Sequence, residues 1–189
     1  MTTFKNTILV LTLAIMTFSC NKENADPIVP ELTDAEKTSK IRGAWELTDC
    51  SGTLNGTMTY TNGTVKNKEG IYKTMKINEA YHTFTTNPNE TTGQGTVDMR
   101  FTNKIDGVEA QPHDYPLDLK IAQFSNLHSW EIVGNKIITP IGYNANRRNI
   151  TIEELTDSTL VINYSWTGGP DGTDYTQEYD ATITYTYKR

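Results

Sequence analysis

The feature that most constrains this chain is a strict alternation in "YDATITYTY". Ile183, Tyr185 and Tyr187 alternate with Thr182, Thr184 and Thr186. A period of two puts the large residues on one face of an extended strand and the threonines on the other. Such a strand has one buried face and one wet face. The same pattern recurs: Leu160, Ile162, Tyr164 and Trp166 fall on one side of "STLVINYSW", and Val97, Met99 and Phe101 alternate with Asp98, Arg100 and Thr102. Trp45 with Leu47, Met75 with Ile77, and Leu117 with Leu119 and Ile121 make further strands, and Trp130 and Ile132 lead into a Gly134-Asn135 hairpin signal. Threonine is abundant, ten tyrosines are present, and both residue types favour strands. No long helical apolar stripe competes. The expected class is all-β, an antiparallel meander of about 8–10 strands that must close into a barrel or a sandwich to hide its edges. The Asn-, Gly- and Thr-rich stretches 52–70 and 85–95 read as long loops or ragged hairpins, and 167–176 as a loop.

Before the first strand, Thr33 and Glu36 form an S/T-x-x-E capping box, which predicts a short helix at about 34–40. Earlier still, Lys5 precedes an apolar run from Ile8 to Phe18 that is far short of the roughly twenty residues of a spanning helix. A short apolar core behind a positive charge is the layout of a signal peptide, here residues 1–19. Ser19 and Cys20 end the run. "TFSC" resembles the lipobox of bacterial lipoproteins, which implies cleavage before Cys20 and acylation of its sulfur. The alternative is an ordinary secreted protein with a free cysteine. Residues 20–39, with Pro27, Pro30 and several charges, then serve as a flexible tether, and 40–189 as the folded domain. Glu23 and Asp26 resemble the surface-export tethers of Bacteroidota lipoproteins, which implies the outer membrane, facing either the periplasm or the cell exterior. With Cys20 acylated, Cys50 has no partner within the chain and reads as a small buried hydrophobe.

The net charge of −6 argues against nucleic acid as a partner and against attraction to anionic lipid heads, so membrane contact falls to the anchor. His82, His113 and His128 share no metal-ligand spacing and read as scattered surface or strand residues. Asp171 and Asp174 lack the order of a calcium loop, and Gly93-x-Gly95 opens no helix. Glu153 and Glu154 are adjacent and point to opposite faces of a strand. "DST" at Asp157–Thr159 resembles a short O-glycosylation acceptor, but a chance turn is the simpler reading. No catalytic constellation, metal site or cofactor site emerges, and an enzyme is not expected.

Gly43-x-Trp45 in "KIRGAWELT" resembles the G-x-W signature of lipocalins, and the order of the later strands is similar to lipocalin-like domains of Bacteroidota lipoproteins. The resemblance covers about 40–189. It implies a barrel with one closed and one open end, which could hold one small ligand. Large inward residues near the open end, Tyr164, Trp166 and Ile183, are then candidates to line a pocket for a small apolar or amphipathic molecule. The alternative is a filled barrel that acts as a surface interaction module through its loops. At the closed end Gly43, Trp45 and a basic residue of the last strand come together. If Ile183, Tyr185 and Tyr187 point inward, Arg189 shares their side and Lys188 does not, so Arg189 is the expected cap over Trp45.

Overall fold

The computed structural model describes residues 31–120, 127, 129–139, 148–169 and 172–189. Cys20, the leader, most of the tether, His128 and Asp171 lie outside the described residues. Leu32–Arg189 forms one compact unit.

The unit begins with α1 (Asp34–Ile41). Its capping box is made: the Glu36 amide donates to Thr33 Oγ1, and the Thr33 amide donates to Glu36 Oε2 at 2.7 Å. Lys37 is buried and donates from Nζ to the Gly134 carbonyl at 3.1 Å and to Asn135 Oδ1 at 2.6 Å. Asp34 accepts from the Gly134 amide at 3.0 Å. The helix is thereby fastened to the hairpin turn at 134–135.

Ten strands follow: β1 (Gly43–Tyr60), β2 (Val65–Thr85), β3 (Glu90–Ile105), β4 (Val108–Glu109), β5 (His113–Asp118), β6 (Glu131–Val133), β7 (Lys136–Ile138), β8 (Arg148–Leu155), β9 (Thr159–Thr167) and β10 (Tyr175–Lys188). They form one antiparallel sheet in the order β4-β3-β2-β1-β10-β9-β8-β7-β6, with β5 also paired to β3. The all-β class and the meander are therefore observed. First and last strands lie side by side, from Glu46 opposite Lys188 to Tyr60 opposite Tyr175.

No ladder joins β6 to β3, β4 or β5 among the described residues, so the sheet is not closed by strand pairing. A short irregular bridge spans the interval instead. The Thr91 amide donates to the Leu127 carbonyl at 3.0 Å, and the Trp130 amide donates to the Asn89 carbonyl at 3.3 Å. Asn89 Nδ2 returns a bond to the Trp130 carbonyl at 2.7 Å. The sheet also wraps one shared core: Val97 and Met99 of β3 belong to the same buried cluster as Ile132 of β6, Ile137 of β7 and Ile152 of β8.

Three local expectations are resolved. At 52–70 and 85–95, read as long loops or ragged hairpins, the structure has hairpins: β1 and β2 run through 52–70 and turn only at 61–64, and β2 and β3 turn at 86–89. The glycines that suggested loops sit where strands press together. A Cβ on Gly52 would lie 2.2 Å from the Thr182 carbonyl oxygen, and one on Gly56 would lie 2.2 Å from that of Glu178. Glycine inside a strand marks such close backbone approach. Second, Met75 and Ile77 do not share a buried face. The register shifts between Thr74 and Lys76, leaving Met75 53 % exposed while Ile77 packs on the core. Third, the strand through Leu117 stops at Asp118, whose side chain accepts from the Lys120 amide at 2.9 Å. Leu119 is buried from a turn, and Ile121 lies outside the described residues.

Gly56→Ala is expected to destabilise the domain by about 1–3 kcal/mol, since the new methyl must push β1 away from β10. Chemical denaturation of the two proteins measures the difference.

Candidate functional site

The inner wall is best followed from one end to the other. At the first end, Gly43 takes φ +114°, a backbone region open mainly to glycine. Two residues on, Trp45 is fully buried and donates from Nε1 to the Ile41 carbonyl at 2.7 Å. The Arg189 guanidinium sits over its ring, with Cζ 3.9 Å from the centroid. Arg189 also donates to the carbonyls of Lys40, at 2.9 Å, and Arg42. The structure thus brings Gly43, Trp45 and Arg189 together. The α1 terminus is fixed to the same place by Lys40, which pairs with Asp157.

The next levels are filled. Leu47, Tyr187 and Leu160 are buried, and His82 hydrogen-bonds through Nδ1 with the Tyr187 hydroxyl at 2.9 Å. Burial pushes the His82 imidazole down to about 3, so the ring is neutral near neutral pH. Cys50, Tyr185 and Met99 follow, with Cys50 Sγ 3.5 Å from Met99 Sδ. Burial, helped by the Asp49 charge, pushes the Cys50 thiol up to about 12, which removes the thiolate a nucleophile would need.

Above these levels the wall changes. Tyr164 and Ile183 pair across β9 and β10, and both are buried members of the core. Trp166 lies one step further, 5.4 Å from the Tyr164 ring, and is only partly buried. The three candidate ligand-lining residues are therefore neighbours, but Trp166 alone stands at the margin of the packed interior. Opposite Ile183, Gly52 faces Tyr72, and Tyr72 stacks on Phe101 at 4.6 Å. At the Trp166 level the wall carries Ala181, Leu54 and Gly70, and the Phe101 ring lies against Gly70, where a Cβ would be 2.4 Å from it. The outermost levels carry Lys68, Gly56 and Tyr179, then Lys66, Met58 and Gln177. The places a Cβ would take at Gly52, Gly56 and Gly70 are filled by the β10 backbone and the Phe101 ring, and Leu54, Met58, Ala181 and Gln177 are buried, so these levels are closely packed around the partly buried rings of Trp166, Tyr72 and Tyr179.

A cleft of about 680 Å³ lies at the same end, lined by residues of β1, the end of β9, the Gly168-Gly169 loop and β10. It shares Gly56, Gln177 and Tyr179 with the inner wall, while its Asn55, Thr57, Glu178 and Asp180 belong to the outward face of β1 and β10. The cleft is therefore a polar shoulder of the open end rather than an enclosed apolar cavity.

No cluster of His, Cys, Asp or Glu among the described residues has the arrangement of a metal site. Sequence reasoning missed Lys68 and Gly56 because 52–70 read as long loops or ragged hairpins, and Gln177 and Tyr179 because only Ile183, Tyr185 and Tyr187 of the last strand were taken as its inward side. Once β1 is extended through Tyr60, alternation from Leu54 places Gly56 and Met58 on its inner side. Comparison with protein-family models, curated proteins and solved structures finds no match.

Proposed function

We propose that this is a lipid-anchored envelope protein of the outer membrane, held by Cys20, whose lipocalin-like domain binds a small apolar or amphipathic ligand. In this reading the sheet is a barrel with one side closed by the Asn89/Thr91 to Leu127/Trp130 bridge instead of a ladder. The observation that carries it is that aromatic burial loosens along the inner wall: Trp45, Tyr187, Tyr185 and Tyr164 are buried, whereas Tyr72, Trp166, Phe101 and Tyr179 at the other end are only partly buried. Partly exposed rings at the margin of an apolar wall suit a small apolar or amphipathic molecule, which pockets take through surface contact rather than through many polar bonds.

Native mass spectrometry of the purified domain is expected to find a retained small molecule. Trp166→Ala should weaken binding of an apolar fluorescent probe by about tenfold, a difference of roughly 1.4 kcal/mol. A probe that binds both proteins equally tells against a site at Trp166. The alternative is a filled barrel that acts as a surface interaction module through its loops. It requires that no small molecule be retained.

The anchor is tested separately. Cys20→Ala is expected to move the protein from the membrane fraction to the soluble fraction and to abolish labelling by fatty acid. Continued membrane residence with label would refute acylation at Cys20.

A further inference from the structure

The polar cleft of about 680 Å³ is built where β9 and β10 part. Their pairing ends with Thr167 opposite Asp180, although β10 begins at Tyr175. Beyond that point the Gly168 amide donates to the Tyr179 carbonyl at 2.8 Å. Gly169 lies against the Tyr179 ring, where a Cβ would be 2.0 Å from Cε1. A side chain at 169 has no room, so glycine forms this wall of the cleft. The floor is the outward face of β1 and β10. Asn55 stands opposite Asp180 from β1, as Thr167 does from β9, and Thr57 stands opposite Glu178. Neighbouring strands are about 5 Å apart, and residues on one face repeat about every 7 Å along a strand, so these side chains form a grid on the scale of a sugar ring. With Thr176 they offer hydroxyls, an amide and two carboxylates, and no aliphatic side chain lines the cleft. Among the described residues none of Asn55, Thr57, Thr167, Thr176, Glu178 and Asp180 makes a side-chain hydrogen bond or an ion pair.

We infer that this cleft binds a neutral carbohydrate, whose hydroxyls bond to Asn55, Asp180 and Thr167 in one row and to Thr57 and Glu178 in the next. A sugar hydroxyl donates and accepts at once. Carboxylates only accept, whereas threonine and asparagine do both, so the two rows answer a ring of hydroxyls in either sense. Bonds from hydroxyls to the ionised Asp180 and Glu178 are the strong ones of the set. The same carboxylates repel phosphate and sulfate groups. An apolar molecule would bury little apolar surface here. The volume lies within the range of small-molecule sites, about 300–1,000 Å³. This site is separate from the apolar one: Thr167 faces outward, and Trp166 beside it faces the inner wall.

The test is isothermal titration calorimetry of the purified protein with maltose, cellobiose, lactose, xylobiose and chitobiose, and with spermidine as a cation that carries no hydroxyl. At least one of the sugars is expected to bind with a Kd of about 1 mM or tighter. Asp180→Ala and Asn55→Ala should each weaken that binding by about tenfold, the scale of a hydrogen bond to a charged group or of a partner left unpaired. Asp180→Asn keeps an acceptor and should lose less. Trp166→Ala should leave sugar binding within about twofold of the parent. If none of the five sugars binds, the inference is overturned. Spermidine binding tighter than every sugar also overturns it, because the cleft is then a cation site. So does sugar binding that survives both alanine substitutions, which puts the sugar elsewhere. The apolar fluorescent probe reads the Trp166 site alone, and its binding should be the same in Asp180→Ala as in the parent. Circular dichroism confirms the fold of the variants, which exposed side chains on the outer face are not expected to disturb.

Discussion

Trp45→Ala is expected to cost about 3–5 kcal/mol of folding stability, a large part of what a domain of this size possesses. The indole is fully buried and ends the packed interior. Its removal leaves a cavity walled by Ile41 and the neighbouring core, orphans the Ile41 carbonyl that Nε1 satisfies at 2.7 Å, and takes away the surface under Arg189. Arg189→Ala removes only the upper layer. An exposed guanidinium over an indole contributes about 0.5–1 kcal/mol, and its bonds to the Lys40 and Arg42 carbonyls pass to water when it is cut away. Urea titrations of the two variants and of the double variant separate these terms. Arg189→Ala should cost clearly less than Trp45→Ala. In the double variant the two losses should not add, because the cation–π contact disappears with either partner. If Trp45→Ala leaves the urea midpoint unchanged, Trp45 is not the plug of this end.

What was legible in the sequence follows from how each residue is used. β9 and β10 alternate large side chains with threonine and asparagine, and the structure buries Leu160, Ile162, Tyr164, Tyr185 and Tyr187 as alternation requires. The lipocalin resemblance implied a basic cap over Trp45, parity along β10 chose Arg189 over Lys188 for it, and Arg189 is the residue found there. Where pairing is regular, local pattern and global fold agree. The reading failed where glycine has a tertiary reason. Gly52, Gly56 and Gly70 interrupt the apolar pattern, yet each lies within a strand because a neighbouring backbone or the Phe101 ring occupies the place of its Cβ. That crowding depends on strands distant in sequence. It failed again at bulges: shifts at Thr74/Lys76 and Asn78/Tyr81 exchange the faces of β2, exposing Met75 and turning Ala80, His82 and Phe84 inward. His82 was read as scattered, although "AYHTF" itself alternates and could have signalled a buried position. The meeting of Lys68, Gln177 and Tyr179 was least legible, because it arises only through the register of β2, β1 and β10.

The buried His82 sets an expected acid sensitivity. In the unfolded chain the imidazole titrates near 6.5; in the folded protein burial depresses it to about 3. Between those values the unfolded chain binds a proton that the folded protein refuses, so stability rises with pH across that window. The contribution is present in full above pH 6.5 and is lost progressively as pH falls toward 3. At about 1.4 kcal/mol per unit the limit is on the order of 5 kcal/mol. Carboxylates act in the same direction: Asp114 beside Arg100, Asp157 beside Lys40 and Glu36 bonded to Thr33 are all held below their ordinary values. These groups are exposed, and their acid loss should be weak and salt-dependent. His82→Gln isolates the histidine. Glutamine stays neutral and can still hydrogen-bond the Tyr187 hydroxyl, so the variant keeps the carboxylate contributions and loses the imidazole one. Urea stability measured from pH 7.5 to 4 should fall more steeply for the parent than for His82→Gln, with the gap between the two proteins narrowing or reversing toward pH 4. High salt should leave that difference in slope in place, because desolvation and not a surface charge causes it. Parallel curves would mean that His82 takes up its proton in the folded protein as readily as in water, which a fully buried ring beside Tyr187 cannot do without opening the core.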